Sequence, residues 1–270
     1  MLEVRGAFKV FNAGTSNEVR ALDDVALTID DGSFVIVVGT NGSGKSTLLN
    51  AVAGAFALDS GSIHLDGIDI SRWPEHRRAA MVGRVFQNPF SGTAPNMSIA
   101  ENLTLAARRG GHRGLGWALS RETRRQLRER VRGLGMGLEN RLDHAIGSLS
   151  GGQRQALTLL IATWLKPRLL LLDEHTAALD PKSAEQVIRV SRDIIEREQL
   201  TTLMVTHSMT QAVQLGDRLV MMSGGRIIHD FPGAEKRRLR VEDLLAHFED
   251  LRRAEQLDET AAEMLRRAYV

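Results

Sequence analysis

The sequence predicts an α/β protein with a mostly parallel sheet, an antiparallel β subdomain at the N-terminus and an inserted α-helical subdomain. Two continuous apolar runs, residues 34–38 and 169–172, are typical of parallel strands covered on both faces. Each run is followed by a helical pattern, as in β–α units. From about residue 98 to 165, apolar residues recur at helical spacing without a clear strand pattern, which predicts the helical insertion.

The N-terminal region reads as antiparallel strands. Apolar and polar residues alternate at Val25, Leu27 and Ile29, which is the period expected of a half-buried strand. The turn-rich residues 12–17 predict a hairpin connection. Asp66-Gly67 predicts a second hairpin, and the glycines at 224 and 225 predict a final one.

Composition narrows the class of protein. Of the 270 residues, 43% are hydrophobic and 25% are charged, as in soluble globular proteins of one large or two small domains. The net charge of +2 is too small to favour electrostatic binding of nucleic acid, so no nucleic acid partner is expected. The absence of cysteine excludes disulfides and thiolate metal sites and favours the cytosol. No apolar run is long enough to predict a membrane span or a signal peptide.

Residues 39–47 fit the pattern G-x-x-x-x-G-K-[ST] between a strand and a helix. Such a loop turns its backbone N–H groups around a polyphosphate, and the following helix adds its positive dipole end. Lys45 would reach the β- and γ-phosphates, and the Ser46 hydroxyl would bind Mg²⁺. The alternative is a glycine-rich turn with a surface lysine, which the buried-strand and helical flanks disfavour. The predicted phosphate-binding residues are Gly39, Thr40, Asn41, Gly42, Ser43, Gly44, Lys45, Ser46 and Thr47.

Two carboxylates follow the second apolar strand, at the sheet edge where open α/β sheets bind ligands. Asp173 would hold Mg²⁺, usually through water, and Glu174 would orient the attacking water or accept its proton. His207 follows the predicted strand 201–206 and shares this edge. It is either a structural histidine or, as we favour, a donor to the γ-phosphate.

Three further features have both an ordinary and a functional interpretation. Ser150, Gly151 and Gly152 precede a strongly amphipathic helix, either as a simple serine cap with a glycine turn or as a second anion-binding helix start. Phe11, before the first hairpin loop, is either a core residue or an aromatic platform for a nucleobase. The arginine-rich residues 121–132 form either a solvated helix face or a surface attracted to anionic lipid or an acidic partner.

Taken together, these residues resemble an ABC-type ATPase subunit over residues 2–232. Five motifs occur in the order of that family, and the resemblance implies a P-loop NTPase core. They are Walker A (39–47), the Q-loop Gln87, the LSGGQ signature (149–153), Walker B (171–174) and the switch histidine His207. It implies an ATPase domain over 1–232, divided into a RecA-like core (1–87 and 166–232) and a helical subdomain (about 88–165), and a helical tail (233–270).

The resemblance also implies ATP and Mg²⁺ as cofactors and assigns roles to residues. Catalysis would fall to Glu174, His207, Gln87 and Lys45. Mg²⁺ would be bound by Ser46, Gln87 and Asp173, and adenine would stack on Phe11. The signature of the opposite subunit would also contact the γ-phosphate, through Ser150, Gly151, Gly152 and Gln153. Asp180, in the D-loop, would also bind the nucleotide.

The implied partners are a second copy of the chain in an ATP-sandwich homodimer and a membrane permease that contacts residues near 87–102. A solute-binding protein would act indirectly, and the chain would lie at the cytoplasmic face of the inner membrane. Residues 92–97, 173–180 and 241–245 resemble the ATPases of bacterial tryptophan/tyrosine-type importers. His175 and Ala177 depart from the family's usual proline and serine. The alternatives are a soluble non-transport ABC ATPase and an exporter or lipid-handling ABC ATPase. The tail either packs on the parent domain or contacts a second subunit.

Overall fold

A computed structural model describes residues 1–109, 120–250 and 253. Within these ranges the strands are β1 (Leu2–Phe11), β2 (Val19–Ile29), β3 (Phe34–Gly39), β4 (Ser60–Leu65), β5 (Ile68–Asp69), β6 (Val82–Val85), β7 (Leu169–Asp173), β8 (Thr202–Val205), β9 (Arg218–Ser223) and β10 (Arg226–Phe231). The helices are α1 (Lys45–Ala53), α2 (Glu75–Arg78), α3 (Ile99–Ala107), α4 (Arg121–Arg132), α5 (Gly151–Thr163), α6 (Pro181–Glu198), α7 (Met209–Gln214) and α8 (Gly233–Lys236), with a further helix over residues 241–250 called α9.

The strands form two sheets. One is antiparallel with the order β2-β1-β4-β5, and the other has the order β10-β9-β3-β8-β7-β6. In the second sheet β9, β3, β8, β7 and β6 run parallel, and only the edge strand β10 is antiparallel to its neighbour. The predicted fold class, an α/β core with an N-terminal antiparallel sheet and a helical insertion, is confirmed. The predicted boundaries of the subdomains stay a prediction.

The helix α1 lies between the two sheets because β3 is apolar on both faces. Val35 and Val37 belong to one buried cluster with α1 and the antiparallel sheet. Phe34, Ile36 and Val38 point the other way, into a second cluster with α5, α6 and the helical insertion. A strand buried on both sides loses the alternation that an exposed strand keeps, as its continuous apolar run predicted.

The helical insertion begins at a capped helix. Ser98 accepts from the Glu101 backbone N–H at 3.2 Å, and Glu101 accepts from the Ser98 backbone N–H at 2.7 Å, so the α3 start is a reciprocal capping box. α5 crosses from the insertion and packs on α6 of the core. The glycines at 110–111 and 114–116, which predict a break in the helical insertion, lie outside the described residues.

The C-terminal helix α9 packs on the parallel sheet side. Leu244 and Phe248 are buried in the larger cluster, and the His247 ring lies 4.7 Å from the ring of His229 on β10. This supports packing on the parent domain for these residues, while the predicted seam beyond Phe248 lies outside the described part. Across that part of the chain, no helix is long and apolar enough to cross a membrane.

Candidate functional site

The glycine-rich loop connects β3 to α1 in a cramped turn. Gly44 adopts φ +97°, and a Cβ there would collide with the Ala21 carbonyl oxygen. A Cβ on Gly39 would likewise collide with the carbonyl oxygen of Met222 on β9. Only glycine fits these two positions, because one requires the left-handed region and both admit another backbone within contact distance. The loop therefore places its amides at the N-terminal end of α1.

Lys45 is folded back over this loop. Its ammonium donates to the carbonyls of Gly39 at 2.9 Å and Thr40 at 2.7 Å, and to the hydroxyl of Ser43 at 3.2 Å. The residue is 4% exposed, and this burial lowers the pKa of the ammonium from its usual value. The ammonium is therefore hydrogen-bonded to neutral oxygens, while the negative charge of Glu174 partly opposes the lowering of its pKa, and an anionic ligand at the loop would add a direct counter-charge.

The carboxylates predicted at the sheet edge lie at the end of β7. Glu174 adopts φ +46°, a strained value for a residue with a side chain, and its backbone N–H donates to the Val205 carbonyl at 3.0 Å. One carboxylate oxygen, Oε1, lies 2.6 Å from Nε2 of His207, and the other, Oε2, accepts from Nε2 of Gln87 at 3.2 Å. Three of the predicted catalytic side chains are thus brought into direct contact.

Asp173 and Ser46 form the two sides of the predicted metal site. Ser46 is exposed on the first turn of α1, and Asp173 is paired with Arg84 of β6, with Nη2 and Oδ2 3.0 Å apart. Among the described residues no group of three or more His, Cys, Asp or Glu side chains gathers for a metal. A hydroxyl, an amide and one carboxylate are hard oxygen donors, which fit a Mg²⁺ ion that takes its remaining ligands from phosphate and water.

His175 follows Glu174 directly, and its side-chain partner was not predictable from the sequence. Its ring is buried, with Nε2 3.0 Å from the hydroxyl of Ser191 on α6. Burial lowers the pKa of His175 to about 4, so the ring is neutral at physiological pH. The histidine therefore connects the turn after Glu174 to α6.

The second helix start is a capped N-terminus. Ser150 accepts from the backbone N–H of Gln153, and the Gln153 side chain accepts from that of Ser150, each at 3.3 Å. Gly152 lies so close to α6 that a Cβ would come within 2.8 Å of the Ser183 Cβ. Ser150 itself is exposed. The signature residues thus pack on α6 in their own chain, with their polar start facing outward.

Asp180 and Phe11, which were also predicted to bind the nucleotide, contact residues near them in the fold. Asp180 caps α6, and its hydrogen bond from the Ser183 backbone N–H at 3.0 Å accompanies a lowered pKa of the carboxyl. Phe11 is 36% exposed at the end of β1, and its ring meets Phe56 edge-on at 5.4 Å with the Lys9 ammonium 5.5 Å away. Their roles toward a nucleotide stay predictions.

A cavity of about 540 Å³ opens beside the phosphate loop. Its walls come from the loop, from the end of β8 with the start of α7, and from α9. The lining residues are Gly39, Thr40, Asn41, His207, Met209, Leu245, Phe248 and Glu249. The helical pattern of the tail predicted a packed face for α9, but no local signal indicates that this face lies next to the loop.

This combination of fold and site defines the class of ATP-binding cassettes. The ABC transporter family matches residues 22–177. A tyrosine transport ATP-binding protein of Clostridioides difficile is 41% identical over 249 residues, which cover 92% of this chain and 99% of the relative. A methionine import ATP-binding protein of Corynebacterium efficiens is 32% identical, and the match covers 84% of this chain and 61% of the relative's length.

Solved structures of ATP-binding cassettes have the same fold as this chain. A dimeric post-hydrolysis state of an ATP-binding cassette bound to ADP and Pi superposes with a TM-score of 0.73 at 27% identity, covering 86% of this chain and 98% of that one. The ADP conformation of another cassette gives a TM-score of 0.74 at 25% identity, covering 91% and 94%. The chain belongs to the ABC transporter family and is an ATPase of that type.

Proposed function

We propose that this chain is the ATP-hydrolysing subunit of a bacterial importer for a solute of the amino acid class. The observation that carries hydrolysis is the position of Glu174, held between Gln87 and His207 at the end of β7. The solute class is supported by the tyrosine transport relative, which matches the chain over nearly its whole length, and the import direction is supported by the methionine import relative.

ATP binding would begin at the loop before α1. The triphosphate would accept hydrogen bonds from the loop amides, and Lys45 would exchange its carbonyl contacts for the β- and γ-phosphates. Because the buried ammonium is paired only with neutral oxygens, a phosphate replaces dipoles with a full counter-charge. Phe11 would stack on the adenine. Ser46, Gln87 and Asp173 would hold Mg²⁺, which would neutralise charge between the β- and γ-phosphates.

Hydrolysis would use the carboxylate beside the γ-phosphate. Glu174 orients a water whose oxygen attacks the γ-phosphorus, while the bond to the β-phosphate oxygen breaks and the water proton passes to the carboxylate. Gln87 and His207 fix the two carboxylate oxygens, so the base is oriented before the nucleotide arrives. His207 would then donate to the γ-phosphate as its negative charge redistributes.

The site would be completed by a second copy of the chain. Ser150 faces outward at the start of α5, and the dimeric cassette bound to ADP and Pi is a structural relative. Two copies facing each other would each present Ser150 and Gly152 to the partner's γ-phosphate, where backbone amides and the helix dipole stabilise developing charge. ATP would thus hold the homodimer closed, and hydrolysis would release it.

The motion would be passed to a membrane permease bound near residues 87–102, with a solute-binding protein delivering the solute outside. The chain would then be peripheral, at the cytoplasmic face of the inner membrane. Affinity purification from membranes tests this: recovery of a permease, with loss of radiolabelled tyrosine uptake in a deletion strain, is expected. Recovery with ribosomes or DNA would favour the soluble alternative, and efflux of the solute would favour an exporter.

The catalytic assignment is tested by Glu174→Gln. Loss of the base should lower phosphate release at least about 100-fold while ATP-dependent dimerisation persists. Glu185→Gln is the matched control, because Glu185 is an exposed carboxylate on α6. A Glu174→Gln variant that hydrolyses ATP at the wild-type rate would refute the role.

A further inference from the structure

Arg84 connects the two sides of the proposed metal site. Its Nη2 lies 3.0 Å from Oδ2 of Asp173 and donates to Oδ1 of Asn50 on α1 at 2.7 Å. The arginine and aspartate side chains are only 13% and 16% exposed. One guanidinium nitrogen therefore ties the end of β7 to the helix that follows the phosphate loop.

The fold places this arginine by strand register and helix period. Arg84 lies opposite Leu171 in the β6–β7 ladder, so it stands on the same face as Asp173, two residues farther along β7. On α1, Asn50 is four residues after Ser46, and residues at that spacing share one helix face. The hydrogen bond from Arg84 to Asn50 therefore reaches the face of α1 that also carries Ser46, whose hydroxyl is the predicted metal ligand.

The contacts of Arg84 limit how the guanidinium can move. Its plane packs over the Phe86 ring at 4.5 Å, and its Nε is buried without a hydrogen-bond partner. A buried donor without a partner is unfavourable, so hydrogen bonding alone does not explain this position of the guanidinium. In this position the guanidinium fixes the orientation of the Asp173 carboxylate through its Oδ2 atom.

We propose that Arg84 is a positioning residue for the Mg²⁺ of bound ATP. By holding Oδ2 of Asp173 it directs Oδ1 toward a metal-bound water, and by holding Asn50 it sets the separation between Asp173 and Ser46. This inference rests on the proposed ATP and Mg²⁺ site. Residues that orient metal ligands in this way affect metal affinity by about 10–100-fold when they are replaced.

The test is metal affinity measured without turnover. The Arg84→Met variant is held in excess over a non-hydrolysable ATP analogue, and Mn²⁺ is added. The concentration of free Mn²⁺ is measured from its electron paramagnetic resonance signal. The Kd for Mn²⁺ should rise about 10–100-fold relative to wild type. The Kd for the analogue in EDTA should not change, because that measurement reports nucleotide binding without the metal.

Two variants make the comparison specific. Arg168→Met removes an arginine just before the other end of β7, where its Nη1 pairs with Asp66 at 2.7 Å, and should leave Mn²⁺ affinity unchanged. Asn50→Ala keeps the Arg84–Asp173 pair and frees it from α1, so it should weaken Mn²⁺ binding in the same direction but less. It also provides the test if Arg84→Met fails to fold.

The outcomes separate the inference from the function on which it rests. Wild-type Mn²⁺ affinity in folded Arg84→Met would overturn the role of Arg84, as would an equal weakening of analogue binding in EDTA, which would indicate a general distortion. If Arg84→Met does not fold, unchanged Mn²⁺ affinity in Asn50→Ala overturns it. A wild-type protein that binds the analogue but no Mn²⁺ would overturn the metal site itself, and the role of Arg84 with it.

Discussion

Replacing Arg78 should destabilise the protein through the helix that follows the phosphate loop. Arg78 is 1% exposed, and all four of its hydrogen bonds go to backbone carbonyls. Nη1 donates to Ala51 at 2.7 Å and Val52 at 2.9 Å, near the C-terminal end of α1, where the Ala51 carbonyl also accepts from the Gly54 backbone N–H at 3.1 Å. Nε and Nη2 donate to Trp73 and Ser71 in the following segment. The arginine therefore fastens the end of α1.

The size of the effect follows from the number of carbonyls that lose a donor. Arg78→Met keeps much of the aliphatic stem and removes every donor. A typical hydrogen bond contributes about 0.5–1.5 kcal/mol net, so the loss of all four bonds sums to about 2–6 kcal/mol. Relief of the buried charge offsets part of this sum, so we expect a loss of about 3 kcal/mol. At about 2–4 °C per kcal/mol, the Tm should fall by about 6–12 °C.

Arg77→Met is the matched control, since Arg77 is the adjacent arginine, exposed, with its guanidinium 3.7 Å from the Trp73 ring centre. Loss of such an exposed cation–π contact should cost about 1 kcal/mol or less. Thermal unfolding followed by circular dichroism compares the two variants directly. Equal Tm values for Arg78→Met and Arg77→Met would refute the reasoning.

Three further predictions concern the site. Lys45→Ala should weaken ATP binding by about 10–100-fold, since a hydrogen bond to a charged group contributes about 1.5–3 kcal/mol, and unchanged affinity by calorimetry would contradict the phosphate loop assignment. Phe11→Ala should weaken ATP binding but not inorganic triphosphate binding, because stacking on a base contributes about 1–3 kcal/mol; equal effects on both ligands would exclude stacking. His175 has a folded pKa of about 4 against an ordinary 6.5, so the unfolded state takes up a proton first as the pH falls and stability is lost below pH 6.5. From pH 6.5 to 5 the wild type should lose about 2 kcal/mol more than His175→Gln in urea unfolding, and equal losses would contradict the buried neutral ring.

Structural features that are determined by residues close together in the sequence were predictable from the sequence. The capping box of Ser98 and Glu101, the asparagine- and glycine-rich hairpin turns and the strand–loop–helix around Lys45 are all specified within a few residues. The parallel sheet was predictable for the same reason, because strands covered on both faces carry continuous apolar runs. Glu174 and His207 were expected at one sheet edge, and Gln87 was named only through the family resemblance; the structure brings all three into contact.

Contacts made by side chains across long separations were not predictable. Arg84 and Arg78 look like ordinary surface arginines in the sequence, and only the packing of α1 against the sheet shows that each bonds to that helix. The bond of His175 to Ser191 depends on how α6 lies over the turn after Glu174. The position of α9 beside the phosphate loop follows from tertiary packing, for which a helical pattern gives no direction.

The central claim is that each ATP is bound between two copies of the chain, with Lys45 supplied by one copy and Ser150 by the other. The most direct measurement is a structure of the Glu174→Gln variant with ATP bound. The claim predicts the hydroxyl of Ser150 from one copy within hydrogen-bond distance of the γ-phosphate that Lys45 holds in its partner. A nucleotide-filled site in which every Ser150 remains in solvent, remote from any phosphate, would contradict it.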